Sequence, residues 1–206
     1  MTTAYKFRSA SQIEFIVDIL DEKKLYCSAW NRLNELSEGL FEFSSTGDAV
    51  KNEQLKQRLT GAKNQLLVCS LSEDYADYLL WTHYAGGFNG VAIEVELPES
   101  PDIIRKVIYE NKIRKNIDGF DPSCDVDELA KQVLCSKFDK LRYEQEIRVF
   151  SDTELFPVDV RRVIVGPGMP KTLPKEFSSV CRQKKIKLCR ATIDDAGKIH
   201  VTRYRK

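Results

Sequence analysis

Gly90-Val91-Ala92-Ile93-Glu94-Val95-Glu96-Leu97-Pro98 alternates apolar and acidic side chains between a glycine turn and a proline. Successive side chains of a strand point to opposite faces. Val91, Ile93, Val95 and Leu97 are therefore expected inward, and Ala92, Glu94 and Glu96 outward. Pro98 and Pro101 end the strand, because proline donates no ladder hydrogen bond. Working outward, Ala4–Arg8 alternates too, with Tyr5 and Phe7 on one face and Lys6 and Arg8 on the other. Short strands are expected at Leu25–Ala29, Gln65–Ser70, Val107–Glu110, Tyr143–Phe150, Val160–Val165, Ile186–Ala191 and Lys198–Arg203. Helical spacing follows a Ser9/Gln12 capping box, through Ile13, Ile16, Val17 and Leu20. Further helices are expected at Lys51–Arg58, at Glu73–Tyr84 with Ser72 as its N-cap, at Asp125–Leu141 and at Lys175–Lys184. Asn31–Gly47 reads as a loop. About eight short strands with few long helices fit a doubly wound parallel sheet poorly. The expected class is α+β, with a mixed or antiparallel split β-sheet core and flanking helices. It forms one domain over residues 1–206, with a basic β-α-β-like region from about 160 to 206.

Composition narrows the function classes. Of 206 residues, 42% are hydrophobic, with 10 Phe, 8 Tyr and 2 Trp, which excludes a disordered chain. Apolar runs are far shorter than the ~20 residues that cross a bilayer. No basic segment followed by an apolar one opens the chain. A cytoplasmic protein without a membrane partner is expected. The six cysteines show no CxxC spacing, and the two histidines, His83 and His200, are distant from cysteine pairs. The cysteines are read as reduced packing residues and no metal site is expected. A net charge of +1 argues against bulk electrostatic capture of nucleic acid. Charge is uneven, however. Asn64–Ile104 holds no Lys or Arg, whereas Cys181–Lys206 is rich in them. Gly86-Gly87 and Gly166-Pro167-Gly168 lack the strand–GxGxxG–helix context, so Rossmann and P-loop sites are discarded.

Four patterns could carry chemistry. In Tyr143-Glu144-Gln145-Glu146-Ile147-Arg148, a strand places Glu144, Glu146 and Arg148 on one face. That face is either a solvated edge in which Arg148 neutralises Glu146, or a carboxylate pair with divided roles. Cys69-Ser70-Leu71-Ser72 ends a strand, and Ser70 and Ser72 are either helix caps or hydroxyls supporting a site. Lys6 and Arg8 form a surface cation pair or a diphosphate site, for which a planar guanidinium is suited. In Trp81-Thr82-His83-Tyr84, Trp81 could stack on a base or on nicotinamide and His83 could meet a phosphate. The alternative is that Trp81 and Tyr84 pack under the sheet.

In order, Arg8, Ser70-Leu71-Ser72 and Glu144-Gln145-Glu146 resemble the Arg–Ser–Glu layout of the ADP-ribosyltransferase superfamily, over roughly residues 5–165. Leu71 stands where that superfamily carries threonine. The resemblance implies that Arg8, with Lys6, binds the diphosphate of NAD, and that Glu146 stabilises an oxocarbenium-like transition state as nicotinamide leaves. It further implies that Glu144 serves the acceptor, that Ser70 or Ser72 positions Glu146, and that Tyr5, Trp81 or Tyr84 stacks on nicotinamide. The acceptor would be a protein or nucleic acid. The chain also resembles the bacterial family called domain of unknown function 2971. That likeness rests on Tyr5-Lys6-Phe7-Arg8, Asn34-Glu35-Leu36-Ser37-Glu38-Gly39, Cys69-Ser70-Leu71-Ser72, Leu80-Trp81-Thr82-His83-Tyr84-Ala85, Gly90-Val91-Ala92-Ile93 and Tyr143–Arg148. Leu36 and Ser37 replace the Pro-Phe of that family. Some of its members look like phage-defence components, which implies a toxin-like effector and an inhibitory, antitoxin-like partner. A nucleotide- or nucleic-acid-binding module without catalysis, and a metal-dependent nuclease, are the other classes the residues leave open.

Overall fold

The computed structural model describes residues 1–35, 37–43, 49–117 and 124–204. Leu36, part of the expected 31–47 loop, and the basic Arg205 and Lys206 lie outside them. The chain runs β1 (Thr2–Ser9), α1 (Ile13–Glu22), β2 (Lys24–Tyr26), β3 (Ser28–Ala29) and β4 (Phe41–Phe43). Then come α2 (Ala49–Gln65), β5 (Leu67–Ser72), α3 (Tyr78–Tyr84), β6 (Gly90–Leu97), β7 (Ile104–Lys106) and β8 (Ile108–Glu110). Next are β9 (Lys115–Ile117), α4 (Val126–Leu134), β10 (Ser136–Phe138), β11 (Glu146–Ser151) and β12 (Leu155–Pro157). The described chain finishes with β13 (Asp159–Val165), α5 (Lys175–Gln183), β14 (Lys187–Ile193) and β15 (Ile199–Arg203).

The main sheet has the order β15-β14-β13-β6-β1-β5-β11-β7, with β3 also paired to β5. Its ladders are antiparallel except for β13 with β14, which are parallel and joined through α5. The fold is α+β, with a mixed, mostly antiparallel sheet flanked by helices. One face packs Val91, Ile93, Val95 and Leu97 against Ile16, Ile19 and Leu20 of α1 and Phe177 and Val180 of α5. The other face is covered by Leu80 and Trp81 of α3 over Phe7, Ala92 and Ile164. The strand at 90–97 thus sits at the centre of the sheet. Ala92, expected outward, has no exposure because α3 forms a second layer over it.

Element ends moved where local hydrogen bonds outweighed periodicity. α3 starts at Tyr78 rather than Glu73, since the Asp77 carboxylate accepts from the backbone of Leu79 and Leu80. α2 continues through Gly61 to Gln65. α4 stops at Leu134, and Ser136–Phe138 becomes a strand paired with β8.

The feature that positions a site is a split between β1 and β5. β1 pairs with β6 along its length, from Thr2 opposite Leu97 to Ser9 opposite Gly90. With β5 it pairs at Tyr5 opposite Ser72, and then the strands diverge. Gly90 lets the β6 start lie against β1, because an added Cβ would overlap the carbonyls of Arg8 and Ala85. Gly90→Ala should therefore destabilise the chain by about 2–4 kcal/mol. A urea titration in which Gly90→Ala unfolds at the wild-type midpoint would show that this close approach is dispensable.

Candidate functional site

The split opens into a pocket of about 370 Å³. Small-molecule sites usually span about 300–1,000 Å³. Its walls carry opposite charge. Lys6 and Arg8 come from the diverging β1, and Arg32 from the turn after β3. None of these cations has a carboxylate within ion-pair distance among the described residues. Lys6 Nζ instead donates to the Ser70 carbonyl at 2.7 Å, on the β5 edge that the split leaves open. Burial lowers the pKa of both Lys6 and Arg8, as expected for cations short of counter-charge.

The facing wall is acidic, built from Glu35, Glu38, Glu144 and Glu146 around Lys137. Lys137 Nζ lies 2.6 Å from Glu35, 2.6 Å from Glu144, 2.8 Å from Glu146 and 3.7 Å from Glu38. Arg148 supports the wall from behind, with Nε 2.8 Å from Glu146 Oε1 and Nη2 2.7 Å from Glu38 Oε1. It also donates to the Leu134 carbonyl. Arg148 is fully buried in a strand between β5 and β7, so the solvated-edge reading of this face does not hold. The Tyr84 hydroxyl donates to the Glu144 carboxylate, and the Tyr109 hydroxyl accepts from the Glu146 backbone at 2.9 Å.

These contacts tune the groups. Burial alone would raise the pKa of Glu146, but Arg148 and then Lys137 hold it down at about 2. Burial would lower that of Lys137, yet Glu146 and Glu144 raise it well above the usual lysine value. Burial raises Glu35 above the ordinary carboxylate value despite Lys137. Burial and then Glu144 raise Tyr84.

Lys6, Arg8, Ser70, Ser72, Glu144 and Glu146 all line this pocket, with Tyr5 and Tyr84. Strand geometry differs in one respect: Glu144 closes a 3-10 turn (139–144), and Gln145 has a positive φ of 41° before β11 begins at Glu146. Ser72 is directly opposite Glu146, but its hydroxyl donates to the Glu144 carbonyl at 2.7 Å, so it fixes the turn rather than the Glu146 carboxylate. It caps no helix. The Tyr5 hydroxyl is committed to Glu94 at 3.0 Å. Trp81 and His83 lie elsewhere. Trp81 has no exposure, stacks on Phe88, and donates Nε1 to the Tyr75 carbonyl at 2.6 Å, which leaves no face for a ligand. His83 is exposed beside Tyr143 and does not line the pocket. Lys137 was hidden inside an expected helix. Glu35 and Glu38 stood in the Asn34–Gly39 stretch, where the spacing alone gave no chemical signal.

Among the described residues no group of His, Cys, Asp and Glu could hold a metal ion, and all six cysteines are free thiols. No helix is long and apolar enough to cross a membrane among those residues. Comparison with family models, curated proteins and solved structures finds no match.

A carboxylate held below its ordinary pKa stabilises the fold above the unfolded value near 4.5, and this contribution disappears as pH falls towards 2. For Glu146 the loss should be about 3 kcal/mol across that window. Acid unfolding of Glu146→Gln should lack this component; an acid transition identical to wild type would contradict the assignment.

Proposed function

We propose that the pocket takes NAD and that the chain transfers ADP-ribose from it to a macromolecular acceptor. The observation that carries this reading is the opposed charge of the two walls. NAD is itself divided in this way, with an anionic diphosphate and a cationic nicotinamide ring. Arg8 and Lys6, cations without carboxylate partners among the described residues, suit the diphosphate; a guanidinium offers a rigid fork of donors to phosphate oxygens. The wall of Glu35, Glu38, Glu144 and Glu146 has four carboxylates against Lys137 and Arg148. Its excess negative charge favours the nicotinamide ring and the positive charge that grows on the ribose as the glycosidic bond breaks. Lys137 and Arg148 keep Glu146 ionised, the form such stabilisation requires. Glu144, held by Tyr84 and Lys137, is placed to orient the acceptor. The order of Arg8, Ser70–Ser72 and Glu144–Glu146 along the chain supports the same reading through its resemblance to ADP-ribosyltransferases. A defence or toxin role, with an inhibitory partner, follows from the resemblances alone.

One observation favours a second reading, a nucleotide-binding module without catalysis. Both carboxylate oxygens of Glu146 are already engaged, Oε1 by Arg148 and Oε2 by Lys137. Calorimetric titration with NAD and an assay for released nicotinamide separate the two. The transferase reading expects wild type to bind and release nicotinamide, with Glu146→Gln still binding but slowed about 10²–10³-fold. Arg8→Met should weaken binding. Binding with no turnover in either protein leaves the module reading, and no binding at all rejects both.

A further inference from the structure

We propose that Cys27 and Cys69 form a peroxide-responsive dithiol whose disulfide closes between β3 and β5 beside the pocket. This goes beyond the NAD reading and does not rest on it. In the antiparallel register, Ser28 faces Val68 and Ala29 faces Leu67, so one further step sets Cys27 opposite Cys69. Directly opposed antiparallel residues have Cα atoms about 4.5–5.5 Å apart. A disulfide spans roughly 4.4–6.8 Å between Cα atoms. Both cysteines are free, both are buried, and both belong to the same apolar cluster, so their side chains leave the same face.

The surroundings divide the labour between the two sulfurs. The neighbouring Cys27, and then Lys6 and Arg8, lower the pKa of the Cys69 thiol against burial. Its neighbour Cys69, together with burial, pushes Cys27 up. Cys69, which lines the pocket with Lys6 and Arg8 whereas Cys27 does not, is the attacking thiolate and Cys27 the resolving thiol. Burial pushes Cys135 and Cys181 up to about 12, so neither competes. Cys69 lines the pocket, which gives a small, neutral peroxide a route to it.

The chemistry balances with hydrogen peroxide as oxidant. The Cys69 thiolate attacks one peroxide oxygen and the O–O bond breaks, leaving a sulfenic acid and a hydroxide that solvent protonates to water. The Cys27 sulfur then attacks the Cys69 sulfur. The sulfenic oxygen departs as water with the Cys27 proton, and the S–S bond forms. Two electrons pass from the thiols to the peroxide.

The test uses the native chain carrying Cys124→Ser, which removes the one cysteine that is not buried. Hydrogen peroxide is followed by alkylation, unfolding, thiol counting and peptide mapping. The expected result is the loss of two thiols, with the peptides of Cys27 and Cys69 joined. Cys27→Ser should instead leave Cys69 as a sulfenic acid trapped by a 1,3-dione, and Lys6→Met should slow the reaction. Survival of both thiols in the native chain under peroxide that oxidises the unfolded chain would overturn the proposal. So would a bridge between other cysteines.

Discussion

Lys137 is the residue on which this architecture turns. Its ammonium sits within ion-pair distance of Glu35, Glu38, Glu144 and Glu146, which arrive from a loop, a 3-10 turn and a strand. Lys137, Glu144 and Glu146 are almost wholly buried, at 6%, 4% and 5% exposure, and Glu35 is partly so. Removing one partner from such a cluster strands the others in a low dielectric and typically costs about 3–5 kcal/mol. The charges tie the loop, the turn and the strand to one ammonium, while the β11 register is also set by its ladder with β5 and by Ile147 and Val149 in the apolar core.

This arrangement is also unbalanced, and the imbalance links fold to function. Four carboxylates share two cations on one wall, while Lys6, Arg8 and Arg32 stand on the other without carboxylate partners among the described residues. One carboxylate atom, Glu38 Oε2, is buried without a hydrogen-bond partner among the described residues. Charges kept apart across a pocket are costly to the folded chain on its own. They become favourable when a molecule carrying both signs lies between them. The sheet makes this possible by parting β1 from β5 beyond Tyr5 and Ser72, which keeps the two walls from collapsing into direct ion pairs.

Part of the acidic wall, Glu146 with Arg148, could be read in advance because alternation along a strand is a strong signal. Arg148 and Glu146 share a face as their spacing requires, and Ser72 lies opposite Glu146. Lys6 and Arg8 emerge from the same rule applied to β1. The rule failed where tertiary contacts overrode it. The expected helix over Asp125–Leu141 takes in Lys137, which gives no sign that it belongs to the acidic wall. In fact Cys135 ends α4, and three residues of strand are too few to show a period of two. Glu35 and Glu38 lie in a loop, where position depends on partners that are distant in sequence. Trp81 illustrates the opposite error: an aromatic residue on a short amphipathic helix suits a ligand or a core equally well, and packing by Phe7 and Phe88 settles it as core.

A double-mutant cycle between Lys137 and Glu146 tests the central claim most directly. Urea unfolding of Lys137→Met, Glu146→Gln and the double variant should reveal a coupling of about 2–3 kcal/mol, with the double variant much less destabilised than the sum of the singles. Effects that add to within about 0.5 kcal/mol would mean that the two charges act independently, and that the buried cluster does not organise the pocket.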